Sequence, residues 1–183
     1  MANLAALVLY ISTVLSSVAP HIGETRRASI SRDIAVATLS SERAFDDDAT
    51  GQRTALLLVA IAHYETGKSW ATWIDDGRCN DPAWRLRNEQ WLKAGGCDNA
   101  KAWGMWQVHA PGDDPALGKR YVENRQAGIR AALFIVRESL KMGVGLCAYS
   151  GETFPKCRKA DHRFDKAREW EVKFPFVVAS GAP

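Results

Sequence analysis

The 183-residue chain carries 24 Lys+Arg against 21 Asp+Glu, a formal charge of +3, with 46% apolar and 25% charged residues. This composition excludes a disordered or fibrous chain and suits one soluble domain with an extra arm, long enough to bury a core without staples. The slight basic excess forms no dense stripe, so nucleic acid is not an expected partner, whereas an anionic polymer such as cell wall is compatible with it.

Residues 1–20 contain no charged side chain, and Leu4, Leu7, Val8, Leu9, Ile11, Val14, Leu15 and Val18 dominate them. A secretory signal lacks its basic start here, since the first arginine is Arg26. A membrane span needs about 20 mainly apolar residues, which this stretch only just reaches, with Ser12, Thr13, Ser16 and Ser17 inside it. The favoured expectation is a helix packed on the domain or docked on a partner. Residues 21–29 read as a polar bridge holding Arg26 and Arg27. Residues 31–45 read as a helix with Ile34, Ala35, Ala37, Leu39 and Ala44 on one face. The acidic run Asp46, Asp47 and Asp48 breaks it; the run lacks the spaced ligands and distal Glu of a calcium loop and reads as a solvated turn.

Thr50 or Asp48 is placed to cap the next helix, residues 52–66, whose core Ala55 to Ala62 is apolar on every side and therefore buried. Gly67 is its expected stop. Residues 68–80 form a loop holding Trp70, Trp73, Asp75 and Asp76. Asp81 and Pro82 open a helix through residue 93, on which Trp84 and Trp91 read as core. Residues 98–115 are irregular, and no strand alternation stands out. The longest helix is expected over residues 121–142, with Ile129, Ala132, Leu133, Val136 and Leu140 as its stripe; Gly143 and Gly145 end it. A charged helix over residues 160–173 stops before Pro175, and an apolar tail, residues 176–183, is able to dock. The expected organisation is an apolar arm and linker over 1–28, a catalytic domain over 29–175 and the tail over 176–183. The fold class is mostly α.

The cysteines are Cys79, Cys97, Cys147 and Cys157. The absence of any C-x-x-C leaves zinc-ribbon and thioredoxin-like readings without support. An even count and local pairing favour Cys79–Cys97 and Cys147–Cys157, each closing a loop worth about 3 kcal/mol and implying an oxidising compartment. The competing reading is four reduced thiols.

Chemistry concentrates at Glu65. A helix C-terminus disfavours a further negative charge, and apolar or aromatic neighbours (Ile61, Trp70, Trp103 or Trp106) disfavour ionisation, so the sequence predicts a carboxyl held protonated for general-acid work. Glutamates are common in helices, and Glu65 alone decides nothing. Its companions are Gly104, Met105, Trp106 and Gln107, then Ala148, Tyr149, Ser150 and Gly151. His63, Tyr64 and Glu65 also spell the H-x-E of zinc deaminases, whose downstream P-C-x-x-C is missing; no H-E-x-x-H is present, and no metal or cofactor is expected. His109 reads as structural more readily than as cleft-lining. Seven tryptophans are many for this length, and flat rings stack on sugars, yet packing is the commoner role of any one of them.

In order and spacing these three segments resemble the lytic transglycosylases of the soluble kind and the goose-type lysozymes, whose pattern is Glu-Ser, then Gly-Leu-Met-Gln, then Ala-Tyr-Asn-Ala/Gly-Gly. The resemblance spans residues 55–152, about half of the chain. It implies a lysozyme-like helical domain carrying an extra apolar N-terminal helix. Glu65 would be the catalytic acid and base. Gly104, Met105, Trp106, Gln107, Tyr149 and Ser150 would contact the glycan, with the Tyr149 hydroxyl as a hydrogen-bond partner for Glu65. Departures from the pattern are Thr66 for Ser, Met105-Trp106 for Leu-Met, and Ser150 for Asn; they touch the subsites more than the acid. The implied reaction cleaves the N-acetylmuramic acid–N-acetylglucosamine bond without water, forming a 1,6-anhydro end. A hydrolytic lysozyme would need a second carboxylate, for which Asp75 and Asp76 are the candidates. A catalytically inactive virion structural or adaptor protein is the third reading. The expected partner is peptidoglycan, with other virion or envelope proteins reached through the arm. The expected location is a phage virion acting in the host periplasm, or otherwise the bacterial envelope.

Overall fold

The computed structural model describes residues 4–67, 70, 77–94, 101–150 and 162–176, and these are mostly α-helical. Helix α1 spans Leu4–Val18, α2 Glu24–Ser40 and α3 Gln52–Glu65. Two short helices follow, α4 Pro82–Arg87 and α5 Glu89–Lys93. A hairpin of two-residue strands, β1 Ala102–Trp103 and β2 Val108–His109, precedes α6 Pro115–Glu123 and α7 Arg125–Lys141. Helix α8 is Cys147–Ser150, and α9 is His162–Lys173.

Helix α3 is the centre of the packing. Every residue from Thr54 to Ala62 is buried, as expected of a helix without a polar face. Helix α9 lies along it, α1 and α2 cover other sides, and α7 packs on α2. The apolar arm is thus spent on its own domain: Leu7, Ile11, Val14 and Leu15 are fully buried in the common core. Among the described residues no helix is long and apolar enough to cross a membrane.

The start of α3 is held by the acidic turn. Asp48 is buried; its Oδ2 accepts from the Thr54 amide at 2.8 Å and its Oδ1 from the Arg53 amide at 3.4 Å. Thr50 Oγ1 accepts from the Gln52 amide at 3.3 Å. Both expected caps are therefore in use, and each satisfies amides that the first helical turn leaves open. Arg43 adds a guanidinium bond to the Asp48 carbonyl. Asp48→Ala is expected to cost about 1–2 kcal/mol, measured as a lower denaturation midpoint at unchanged slope.

Tyr10 ties the two ends together. Its hydroxyl donates to the Phe174 carbonyl at 2.8 Å and accepts from Gln52 Nε2 at 2.9 Å. Phe176, the first residue of the apolar tail, meets its ring edge-on at 5.0 Å; residues 177–183 lie outside the described residues. Burial pushes the phenol up to about 12, against the lowering effect of the Gln52 bond, with Glu171 adding to the rise. A raised phenol stabilises the fold fully below the ordinary tyrosine value, and that contribution is lost as pH climbs from about 10 to about 12. Unfolding free energies measured across that window should fall by roughly 2 kcal/mol from this group, and Tyr10→Phe should flatten that part of the curve.

Several boundaries differ from those expected. Helix α2 begins at Glu24, inside the predicted polar bridge, because its first turns face solvent and offer no apolar spacing to read. It ends at Ser40; Ser41 is extended, and the Ala44 amide turns back to Thr54 Oγ1 at 3.1 Å. The single helix expected over residues 81–93 is broken at Asn88 (φ −119°, ψ 23°). Trp84 and Trp91 are not core: Trp91 is 45% exposed, the two rings meet edge-to-face at 5.7 Å, and Leu92 is the side chain that turns inward. Asn124 separates α6 from α7, and its Oδ1 caps the Ala127 amide at 3.2 Å, so the helix expected to be longest starts four residues later than predicted and, at 17 residues, only equals α2. The strands pair Ala102 with His109 and Trp103 with Val108; two residues are too few for alternation to register in sequence.

Candidate functional site

Glu65 closes α3, and its side chain is 20% exposed. Its neighbour Thr66 turns inward, with Oγ1 donating to the Ala62 carbonyl at 2.6 Å. This back-bond is the hydroxyl role that either Ser or Thr can fill. His63, two residues before Glu65 at this end of the helix, sits among aromatic rings: Tyr64 at 5.7 Å, Trp170 at 5.6 Å and Trp70 at 6.2 Å. Trp70 Nε1 donates to His63 Nδ1 at 3.2 Å, and the Trp70 carbonyl accepts from Arg26 at 2.6 Å. Trp70 is thus one of the packing tryptophans rather than an exposed sugar platform.

The segment Gly104 to Gln107 is the hairpin turn. Gly104 has φ +67°, a conformation that favours glycine, and the Gln107 amide returns to its carbonyl at 3.1 Å. Gln107 Nε2 donates to the same carbonyl at 2.8 Å, and Gln107 itself holds φ +47°. Trp70 (φ +51°) is a second strained non-glycine residue in this region; such backbones persist where the surroundings over-determine them. Met105 and Trp106 point the other way. They are 1% and 2% exposed, and Trp106 Nε1 donates to the Leu58 carbonyl of α3 at 3.0 Å. Their expected role as glycan contacts is therefore corrected: the side chains pin the turn to α3 and offer no surface to a ligand. Beneath the hairpin, Trp103 lies so close to Gly118 that a Cβ there would fall 2.0 Å from the indole, which fixes glycine at that point of α6.

Tyr149, on α8, brings the third segment in. Its hydroxyl donates to the Trp106 carbonyl, not to Glu65 as expected. The carboxylate is still close enough to act on it: burial pushes the phenol well above its ordinary value, the Glu65 charge adds to the rise, and the Arg163 charge opposes it. Ser150 is the last residue of α8.

The residue that sequence reasoning missed is Arg163, near the start of α9. Its Nη2 donates to Glu65 Oε1, its side chain is 16% exposed, and its guanidinium lies 5.9 Å above the Tyr64 ring. This contact pulls against the expected acid kept uncharged by dry surroundings, because a cation touching a carboxylate favours its charged form. The only sequence signal was the charged character of the last helix. Elsewhere, His109 is exposed on β2. Among the described residues no group of His, Cys, Asp or Glu is arranged to hold a metal ion.

Cys79 and Cys147 are both disulfide-bonded, and no described cysteine is free. Cys97 and Cys157 lie outside the described residues, as do Asp75 and Asp76, the candidates for a second carboxylate. What the described site brings together is a carboxylate at a helix end, an arginine on it, a partly buried tyrosine beside it and a glycine turn. Compared with known proteins, the chain matches no family model, no curated protein and no solved structure.

Proposed function

We propose that this chain is a peptidoglycan-cleaving enzyme with a lysozyme-like helical domain, and that Glu65 is its general acid. The observation that carries the reading is convergence. Helix α3, the Gly104–Gln107 turn and α8 are far apart in sequence, yet Trp106 Nε1 bonds the Leu58 carbonyl in the middle of α3, Tyr149 bonds the Trp106 carbonyl, and the Glu65 charge at the end of α3 acts on the Tyr149 phenol. These are the same three segments whose order resembles the soluble lytic transglycosylases and goose-type lysozymes.

In this reading the glycan lies over the outer face of the Gly104 turn, against Gln107 and the exposed edge of Glu65. Protonated Glu65 donates to the oxygen between N-acetylmuramic acid and N-acetylglucosamine. The resulting carboxylate then takes the proton of the muramoyl C6 hydroxyl, whose oxygen closes on C1 to give the 1,6-anhydro end. One carboxyl serves twice, so no second carboxylate is needed, in contrast to hydrolytic glycosidases. The disulfides at Cys79 and Cys147 favour an oxidising compartment such as the bacterial envelope, where a virion-borne enzyme would also act.

One observation favours a non-catalytic reading, in which the chain is a structural or adaptor protein: Arg163 already occupies Glu65 Oε1. Product mass separates the readings. Sacculi digested with the purified protein should release muropeptides lighter by one water than those of a hydrolase; hydrated products would assign a muramidase, and no products a non-catalytic role.

A further inference from the structure

The Glu65–Arg163 pair sets a condition that the acid reading alone does not meet. A carboxylate bonded to a guanidinium has no proton to give, so the pair must open before a glycosidic oxygen can be protonated. Both side chains keep some exposure, 20% for Glu65 and 16% for Arg163, so an edge of the pair faces solvent. The guanidinium also has a second support that does not depend on Glu65, the Tyr64 ring 5.9 Å below it. Arginine presents a planar fork of donors matched to carboxylates. It can exchange one carboxylate for another at little net cost, because the charge-assisted bonds are replaced in kind. A neutral sugar offers no such exchange.

We propose that Arg163 is a carboxylate-binding subsite that trades Glu65 for an anionic substituent of the glycan, so that an acidic sugar is what frees the acid. This rests on the reading of Glu65 as the general acid. On exchange, the guanidinium forms its bonds to the ligand carboxylate and breaks those to Oε1. Glu65 then takes one proton from solvent beside the partly buried Tyr149 phenol, and no covalent bond between heavy atoms changes. The carboxylate has two sources in peptidoglycan, the lactyl acid of an unsubstituted muramic residue and the free carboxylates of a stem peptide.

The test uses short ligands followed by nuclear magnetic resonance titration of the full chain. They are the disaccharide N-acetylglucosaminyl-N-acetylmuramic acid, the same disaccharide carrying its stem peptide, and neutral chitobiose. Wild type should bind at least one acidic ligand about tenfold or more tighter than chitobiose, because an acid replaces the charge-assisted bond that opening the pair breaks whereas a neutral sugar leaves that bond unreplaced, and the preference should shrink in high salt. Whichever acidic ligand shows the preference identifies the source. Arg163→Gln should bring the ratio close to one while leaving chitobiose affinity in place, and Arg163→Lys should keep part of it. Equal affinities in wild type, no binding of any of the three, or a preference that survives Arg163→Gln overturns the proposal. The wild-type ratio and its salt dependence decide the matter even if the Gln variant does not fold. Sacculus cleavage with a flat ratio removes the subsite and leaves the acid; a preference without cleavage does the reverse.

Discussion

Glu65→Gln should lower the rate of glycan cleavage by about a hundredfold to ten-thousandfold, the range that a positioned general acid contributes. The amide is nearly the same shape and keeps an oxygen for Arg163, so the contact seen at Oε1 has a substitute. It has no proton acidic enough to give to a leaving oxygen. The fold should suffer little. The pair is partly exposed, at 20% and 16%, which screens the loss of charge, and α3 is held by the buried run Thr54 to Ala62 rather than by its last side chain. Rate and stability measured on the same preparation therefore separate the two roles. A variant that melts like wild type and fails to cleave supports catalysis; one that cleaves normally removes Glu65 from the chemistry.

Trp106→Ala should be the most destabilising single change near the site. The indole is 2% exposed, donates to the Leu58 carbonyl at 3.0 Å, and belongs to the residue whose carbonyl receives the Tyr149 hydroxyl. Truncation removes a large buried ring and leaves a cavity beneath the hairpin, for a cost of about 3–5 kcal/mol. In a chain of this length that corresponds to a fall in melting temperature of roughly 10–15 °C. Trp106→Phe keeps most of the apolar contact and loses the N–H bond, and should cost about 1–2 kcal/mol. If Trp106 instead lined the glycan groove, Trp106→Ala would weaken substrate binding and leave the melting temperature almost unchanged. Calorimetry of the three proteins distinguishes these outcomes.

How much of this was legible beforehand depended on how local each signal was. Helix α3 was readable because an apolar run from Ala55 to Ala62 leaves no polar face, and its caps because Asp48 and Thr50 stand a few residues from the amides they bond. The stripe of α7 was readable from its spacing; Ile129, Ala132, Leu133 and Val136 are buried and Leu140 is partly buried. The packed role of the arm was the favoured of three readings, and the burial of Leu7, Ile11, Val14 and Leu15 agrees with it.

Side-chain direction was a different matter. Met105 and Trp106 sit in a turn, where no periodicity says which residue faces in, and the structure turns both into the core. The Tyr149 hydroxyl had several acceptors within reach of any plausible fold, and it uses the Trp106 carbonyl. Arg163 lies 98 residues from Glu65 in the chain. No spacing rule connects them; only the packing of α9 along α3 brings the guanidinium to the carboxylate. The first turns of α2 were hidden because solvent-facing helix and polar linker share a composition.

The central prediction is that the carboxyl group ending α3 does acid chemistry on a glycan. The direct measurement is the clearing of purified sacculi by wild type and by Glu65→Gln at equal concentration, followed through the mass of the material released. Clearing by wild type with anhydro-ended fragments, and none by the variant, is the predicted result. No clearing by either protein, or equal clearing by both, would contradict it.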